Sequence, residues 1–360
     1  MSAPTNDAVP AVVLGGSGYV AGEVLRLLAG HPYLKPVAVV SESQAGELVE
    51  ASFPHLAGCF PGIGFRKREE LGEVLKRLEG EQLAVFCAAP HGAAVGLLGG
   101  VLAEAEQAGT VARAVDLSAD FRFADAAAYE AVYGHAHGAP ERLATFVCGL
   151  PEHVADTPAG HVGHPGCFTT SVLLATVPLL KLGLIEPRLT VVAVTGSTGA
   201  GRTPTATTHH PARRSNLFAY SPLRHRHEPE MRALAAAASG VEEPEIHFVP
   251  QAGPFARGIY ATVQARLVRA MPAEDVREAL AGFYAGAPFV DVLAEPPRLQ
   301  DVVGTNRCRL GVAADGDHLA VFSAIDNLVK GAAGGGVQWM NRLLGFAETA
   351  GLMVPGVGWV

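Results

Sequence analysis

The sequence predicts an α/β fold, a parallel-sheet domain followed by an α+β domain. Up to Leu117, short apolar runs alternate with helix-period segments, and each run stops at small or polar residues. Beyond about residue 160 that alternation gives way to longer strand-like runs around a polar stretch, the pattern of a second, mixed domain. A chain of 360 residues, 49% of them hydrophobic, is long enough for two cores.

The elements follow in order. Ala11 to Leu14 is an apolar strand that ends at glycines. Val20, Val24, Leu27 and Leu28 then share one helical face, and Pro36 to Val40 reads as a second buried strand. This β-α-β unit builds parallel sheets. Leu83 to Cys87 is a strand, Gly92 to Gln107 a helix and Ala114 to Leu117 another strand. Thr169 to Leu182 reads as a helix and Leu189 to Val194 as a strand, followed by a polar stretch from Gly196 to Pro229. Strands near 246–249 and 259–265, a helix near 273–284 and strands at 308–313 and 318–324 precede a last helix starting near Asn327. The expected division is 1–163 for the parallel-sheet domain and 164–325 for the second, with 326–360 returning to the first.

Composition excludes several classes. With 27 Lys+Arg against 35 Asp+Glu the net charge is −8, which argues against a nucleic-acid binder. No apolar run approaches the roughly 20 residues of a membrane span. The first residues, Met1 to Asp7, lack a basic region followed by an apolar one, so no signal peptide is expected. Five cysteines, odd in number and without a CxxC pair, suit reduced thiols in a cytoplasmic protein.

Three segments carry chemistry. Gly15-Gly16-Ser17-Gly18-Tyr19-Val20 lies between a strand and a helix. There, glycines permit a tight turn and bring backbone N–H groups to a pyrophosphate on the helix N-terminus. At the end of the second strand, Glu42 suits a ribose hydroxyl and Ser41 and Ser43 suit a 2′-phosphate, so spacing leaves NAD and NADP both open. His164-Pro165-Gly166-Cys167 precedes an apolar helix. A thiol at a helix start has a lowered pKa, which makes Cys167 the candidate nucleophile. The other four cysteines read as structural. His161, His164 and Cys167 recur every third residue, but Pro165-Gly166 interrupts them and no second ligand pair stands nearby, so no metal is expected. In the third segment, Arg202 to Arg226 contains five arginines and no acidic residue. Such a stretch suits a phosphorylated or carboxylated ligand, and His225 and His227 beside it are candidate acid–base groups.

In their order and spacing, these residues resemble the N-acetyl-γ-glutamyl-phosphate reductase family of arginine biosynthesis. The plan is also distantly similar to aspartate-semialdehyde dehydrogenase. The resemblance spans about residues 11 to 341. It rests on Gly15 to Glu23, Ala89-Pro90-His91-Gly92, Asp116 to Arg122, Gly149-Leu150-Pro151-Glu152, Pro165-Gly166-Cys167, Gly199-Ala200-Gly201-Arg202, His225 to Glu230 and Asp326 to Ala333. It implies a Rossmann-type parallel-sheet domain plus an α+β substrate and dimerisation domain. It also implies an NADP-dependent reduction of an acyl phosphate to a semialdehyde through a thioester on Cys167, with His225 or His227 as the acid–base group. Cofactor contacts are implied at Gly15, Ser17, Gly18, Tyr19, Val20, Ser41, Ser43, Gly199 and Asn327, and substrate contacts at Arg122, Arg202 and Glu230. The family's assembly implies a homodimer or homotetramer.

The chain departs from the family at His164, where Asn is usual, at Phe168, where Tyr is usual, and at Ala21, in place of a third glycine. The segment 203–222, with Thr207-Thr208-His209-His210-Pro211, resembles a sister branch that acts on aminoadipyl or glutamyl phosphate held by a small acidic amino-group carrier protein. The amino-blocking group therefore stays open between acetyl, succinyl and carrier protein.

Overall fold

Apolar runs that end in glycine fold here as buried parallel strands. The computed structural model describes residues 8–358, in two compact units. The first runs to Cys148 and adds Thr157–His164 and Gly336–Leu352. Its strands are β1 (Val9–Leu14), β2 (Leu34–Val40), β3 (Phe65–Arg66), β4 (Gln82–Cys87), β5 (Val111–Asp116), β6 (Phe146–Cys148) and β7 (His161–Gly163). They lie in the order β3-β2-β1-β4-β5-β7-β6, and every neighbouring pair is parallel. The helices between them are α1 (Tyr19–Ala29), α2 (Val49–Ser52), α3 (Leu71–Lys76), α4 (Ala94–Gln107) and α5 (Ala126–Tyr133).

Strands buried on both faces need continuous apolar sequence, and Ala11 to Leu14 and Leu83 to Cys87 are fully buried. From β1 the chain moves outward to β2 and β3 and returns to β4 on the other side of β1. That reversal places a crevice at the carboxyl ends of β1 and β4, where open α/β sheets bind ligands.

The second unit comprises Gly149–Asp156, Pro165–Gly335 and 353–358. It begins its main body with α6 (Cys167–Lys181) and continues through β8 (Ile185–Thr195), α7 (His210–Arg213), β9 (Phe218–Ala219) and α8 (His227–Ser239). Then come β10 (Glu245–Ala252), β11 (Ile259–Leu267), α9 (Ala273–Phe283), β12 (Val290–Val292), β13 (Cys308–Asp315) and β14 (His318–Ile325). The sheet order is β12-β13-β14-β11-β8-β10-β9. The β8–β10 and β12–β13 pairs are parallel and the others antiparallel.

One face of this sheet forms a core with α6, α8 and α9, through Val172, Val177, Met231, Ala235, Val276 and Leu280. Every residue of α6 from Phe168 to Leu180 is buried, which fixes the helix carrying Cys167 rigidly. On the other face the cross-strand row Val249, Val192, Thr262 and Phe322 is only half-buried, whereas the adjacent row Phe248, Val191, Val263 and Val321 is buried.

The division differs from the expected one at its edges. Gly149–Asp156 belongs to the second unit, and so do 326–335 and 353–358, so that of the expected return only Gly336–Leu352 joins the first unit. The buried Glu152–Lys330 ion pair, at 2.5 Å, ties the first two of these segments into that unit. The last helix also starts later than near Asn327. A π-helical turn, Val329–Ala333, precedes α10 (Gly334–Leu343).

Candidate active site

In the first unit, the turn after β1 is shaped by what stands opposite it. Gly15 has φ of +72°, and a Cβ there would lie 2.4 Å from the backbone nitrogen of Ala89. No other residue allows that approach between the β1 and β4 loops. Gly18 caps α1, so that helix opens at the crevice with backbone N–H groups and no side-chain cap. Ser17 and Val20 are half-buried there, and Tyr19 is exposed. Ala21 stands where a third glycine is usual, but the close packing occurs at Gly22, whose Cβ would lie 2.7 Å from the Phe53 ring.

At the end of β2 the Ser41 hydroxyl donates to Ser17 Oγ at 3.2 Å and lies 3.4 Å from Ser43 Oγ. Glu42 turns elsewhere, its carboxylate accepting from the Arg68 backbone N–H at 2.8 Å. The structure thus groups three hydroxyls where spacing alone had left serines and a carboxylate in competition.

Arg122 also belongs to the first unit. Its Nε donates to the His164 carbonyl at 3.0 Å, three residues before Cys167 in the chain. His164 is buried, and its backbone N–H donates to the Asp116 carbonyl at 2.8 Å. The Asp116 carboxyl is fully buried, and desolvation raises its pKa to about 6 against the Ser118 hydrogen bonds that lower it. His161 Nδ1 accepts from the Ala114 backbone N–H at 3.2 Å. Among the described residues, no cluster of three or more His, Cys, Asp or Glu side chains is placed to hold a metal ion.

In the second unit, Cys167 is the first residue of α6, half-exposed, with Gly166 as its cap. The Gly166 N–H donates to the Glu230 carboxylate at 2.7 Å. Gly331, in the π-turn, comes so close that a Cβ there would lie 2.7 Å from Cys167 Cβ. Asp326 holds the start of that segment, accepting from Arg257 Nε at 3.0 Å and from the backbone N–H groups of Gly304, Leu328 and Val329.

Cys167 opens into a cavity of about 500 Å³, which Gly199, Arg213, Tyr220, His225 and His227 also line. His225 Nδ1 accepts the His227 backbone N–H at 3.2 Å, and the two rings stand 4.7 Å apart. Burial, reinforced by the charge of Arg226, pushes His225 down to about 4. At neutral pH the ring is therefore neutral with its proton on Nε2. His227 starts α8 and is buried. Phe168 packs edge-on against both imidazoles at 5.6 and 6.1 Å.

None of the three expected substrate contacts lines this cavity, Arg122 belonging to the first unit. Glu230 is fully buried with its carboxylate on the Gly166 N–H, which fixes the cap of α6. Arg202 is exposed on the loop after β8. Gly199 and Asn327, expected at the cofactor, belong to the second unit. Asn327 is pinned at both ends of its amide, accepting from the Gly258 N–H at 2.7 Å and donating to Thr198 Oγ1 at 3.0 Å. Sequence reasoning named Arg213 only as one of five arginines in the basic stretch and Gly331 only within the Asp326–Ala333 motif, gave neither a role of its own, and passed over Tyr220. Arg213 and Tyr220 lay in a polar stretch without periodicity, and a glycine's close approach has no signal in one sequence.

Comparisons with known proteins agree with this architecture. Residues 10–157 match the family model described as semialdehyde dehydrogenase, NAD binding domain. Residues 167–327 match the one described as semialdehyde dehydrogenase, dimerisation domain. Among solved structures, aspartate semialdehyde dehydrogenase II of Vibrio cholerae, complexed with ASA, superposes with a TM-score of 0.68 at 16% identity, over 94% of this chain and 98% of that one. The aspartate semialdehyde dehydrogenase of Candida albicans, solved with NADP, gives 0.63 at 18% identity, over 96% and 100%. At such identities the likeness is one of fold.

Sequence relatives are nearer. The N-acetyl-γ-glutamyl-phosphate reductase of Methanopyrus kandleri is 40% identical over 352 residues, covering 96% of this chain and 98% of that protein. The reductase of the same name from Dehalococcoides mccartyi is 39% identical over 344 residues, covering 94% and 96%. With that identity over nearly the full length of both chains, and with a thiol at a helix start beside two histidines, this oxidoreductase belongs to the N-acetyl-γ-glutamyl-phosphate reductase family.

Proposed function

We propose that this chain reduces N-acetyl-γ-glutamyl phosphate to N-acetylglutamate 5-semialdehyde and phosphate, with NADPH as reductant, through a thioester on Cys167. The observation that carries this reading is Cys167 at the first position of a buried helix, opening into the cavity that His225 and His227 line. The helix dipole and the backbone N–H groups of the first turn favour a thiolate there and the oxyanion that forms when it attacks.

The first unit fits the cofactor. The Gly15 turn and the start of α1 suit a pyrophosphate, and the Ser17, Ser41 and Ser43 hydroxyls suit a 2′-phosphate. Bound there, NADPH supplies a hydride. The chain's own residues do the rest. Cys167 Sγ bonds to the γ-carbonyl carbon, and the carbon–oxygen bond to phosphate breaks as phosphate leaves with its electron pair. Arg122 is the proposed phosphate contact. Once the thioester has been reduced to a thiohemiacetal, the carbon–sulfur bond breaks, its electrons return to sulfur and the aldehyde carbonyl forms. A histidine of the 225/227 pair exchanges a proton with that oxygen, and His225 Nε2–H is a donor at neutral pH.

A second reading keeps the chemistry and changes the blocking group to a carrier protein. Arg202, Arg214, Arg224 and Arg226 are exposed on one acid-free segment, which suits an acidic partner. The deciding assay supplies phosphate and NADP with either N-acetylglutamate semialdehyde or its carrier-linked counterpart. The first reading expects turnover of the acetylated substrate, and turnover of the carrier-linked substrate alone would overturn it.

We further assign the chain to the cytoplasm, supported by its five free cysteines, and to a homodimer or homotetramer. The match to a dimerisation domain and the half-buried row Val192, Val249, Thr262 and Phe322 support the assembly. Light scattering on Phe322→Arg is expected to show a smaller species than the parent chain. A parent chain that is already monomeric would contradict the assignment.

A further inference from the structure

The geometry points to Arg213 as the residue that binds the α-carboxylate of the substrate, an inference that rests on the acyl-phosphate reading above. Arg213 is only 9% exposed and lines the same cavity as Cys167. Its Nη2 donates to the Thr195 carbonyl at 2.9 Å, which fixes the side chain. Its Nε is buried without a hydrogen-bond partner, and among the described residues no carboxylate pairs with the guanidinium. The segment from Arg202 to Arg226 contains no acidic residue that could move in to pair with it. The Phe218 ring stands 5.9 Å from the guanidinium carbon and closes one side.

A buried guanidinium stays charged, and leaving it unpaired is costly. A ligand anion reaching the cavity would remove that cost. Two anions enter with an acyl phosphate. Phosphate departs at the thioester stage, whereas the α-carboxylate stays with the bound chain through reduction and needs a fixed partner. The planar guanidinium fork, with Nε–H still unpaired, matches a carboxylate. Arg224 and Arg226, exposed at the same cavity, suit a group that must leave to solvent. The α-carboxylate is common to an N-acetylated substrate and to one joined through its amino group to a carrier, so the assignment holds for either source.

The test compares three aldehydes in the presence of phosphate and NADP: N-acetylglutamate semialdehyde, its carrier-linked counterpart, and 4-acetamidobutanal, which lacks the carboxylate. The parent chain is expected to prefer a carboxylated aldehyde over 4-acetamidobutanal by about a hundredfold in kcat/KM. Arg213→Met is expected to lose most of that preference by falling on the carboxylated aldehyde far more than on 4-acetamidobutanal, with the KM for phosphate unchanged. Arg213→Lys, which keeps the charge without the fork, should retain part of it and serves if the methionine variant does not fold. Three results would overturn the assignment. A raised KM for phosphate with the preference intact would make Arg213 a phosphate contact. An equal fall on all aldehydes would make it structural, acting through Thr195. A parent chain inactive on every aldehyde would remove the acyl-phosphate reading itself, and the assignment with it.

Discussion

Gly331 has no side chain because Cys167 occupies the space one would need. A Cβ at that position would lie 2.7 Å from Cys167 Cβ and 3.1 Å from its Cα, closer than atoms tolerate. Gly331→Ala should therefore shift the nucleophile, and a misplacement on the ångström scale costs about a hundredfold in kcat. The KM for NADP should hold, because the proposed pyrophosphate and 2′-phosphate contacts, the Gly15 turn and the Ser41 cluster, lie in the other unit. Steady-state kinetics with both substrates varied would check this, and an unchanged kcat would show that the π-turn has room to yield. Glu230 works at the same scale from behind. Its buried carboxylate on the Gly166 N–H fixes the residue before the nucleophile, a role that a sequence motif alone does not distinguish from substrate contact.

The end of β2 is an element with a testable consequence. Ser41, 7% exposed, joins Ser17 and Ser43 through its hydroxyl, and Glu42 is held on the Arg68 backbone. A carboxylate in place of Ser41 would repel a 2′-phosphate, so Ser41→Asp should move the NADP-over-NAD preference by about tenfold or more toward NAD. Ratios of kcat/KM for the two cofactors measure it, and an unchanged ratio would place the 2′-phosphate elsewhere. Elements of this kind differed in how far the sequence alone revealed them. The buried strands β1, β4 and β5 and the helix α6 were readable because continuous apolar runs have few other uses. The two-residue strands β3 and β9 are too short to carry a period. Helix α8 begins at His227 inside a polar stretch, and its small alanine-rich face hides the amphipathic signal. Cys167 and the histidine pair were legible from motif order. The orientation of Glu42, which leaves the hydroxyls of Ser17, Ser41 and Ser43 grouped without it, depended on Arg68, twenty-six residues away in the chain.

At the scale of the whole molecule, buried histidines make stability depend on pH. Burial lowers His153, His161 and His225 to about 4 each. Between about pH 6.5 and 4 the unfolded chain binds protons at these sites and the folded chain does not, so stability falls as pH falls through that window. Each site contributes at most about 1.4 kcal/mol per pH unit there. Asp116, raised to about 6 by its burial, takes up a proton in the fold over part of the window and offsets one of the three. The thermal unfolding midpoint should therefore be lower at pH 5 than at pH 7, and a midpoint that rises on acidification would contradict the sign. The proposed reaction stands on a covalent bond to Cys167. Rapid-quench mass spectrometry of the intact chain mixed with N-acetyl-γ-glutamyl phosphate, without reductant, tests it most directly. One N-acetylglutamyl group per chain is expected, mapped to Cys167 and absent from Cys167→Ala. A chain that turns over this substrate yet carries no adduct, or that keeps the adduct in Cys167→Ala, would contradict it.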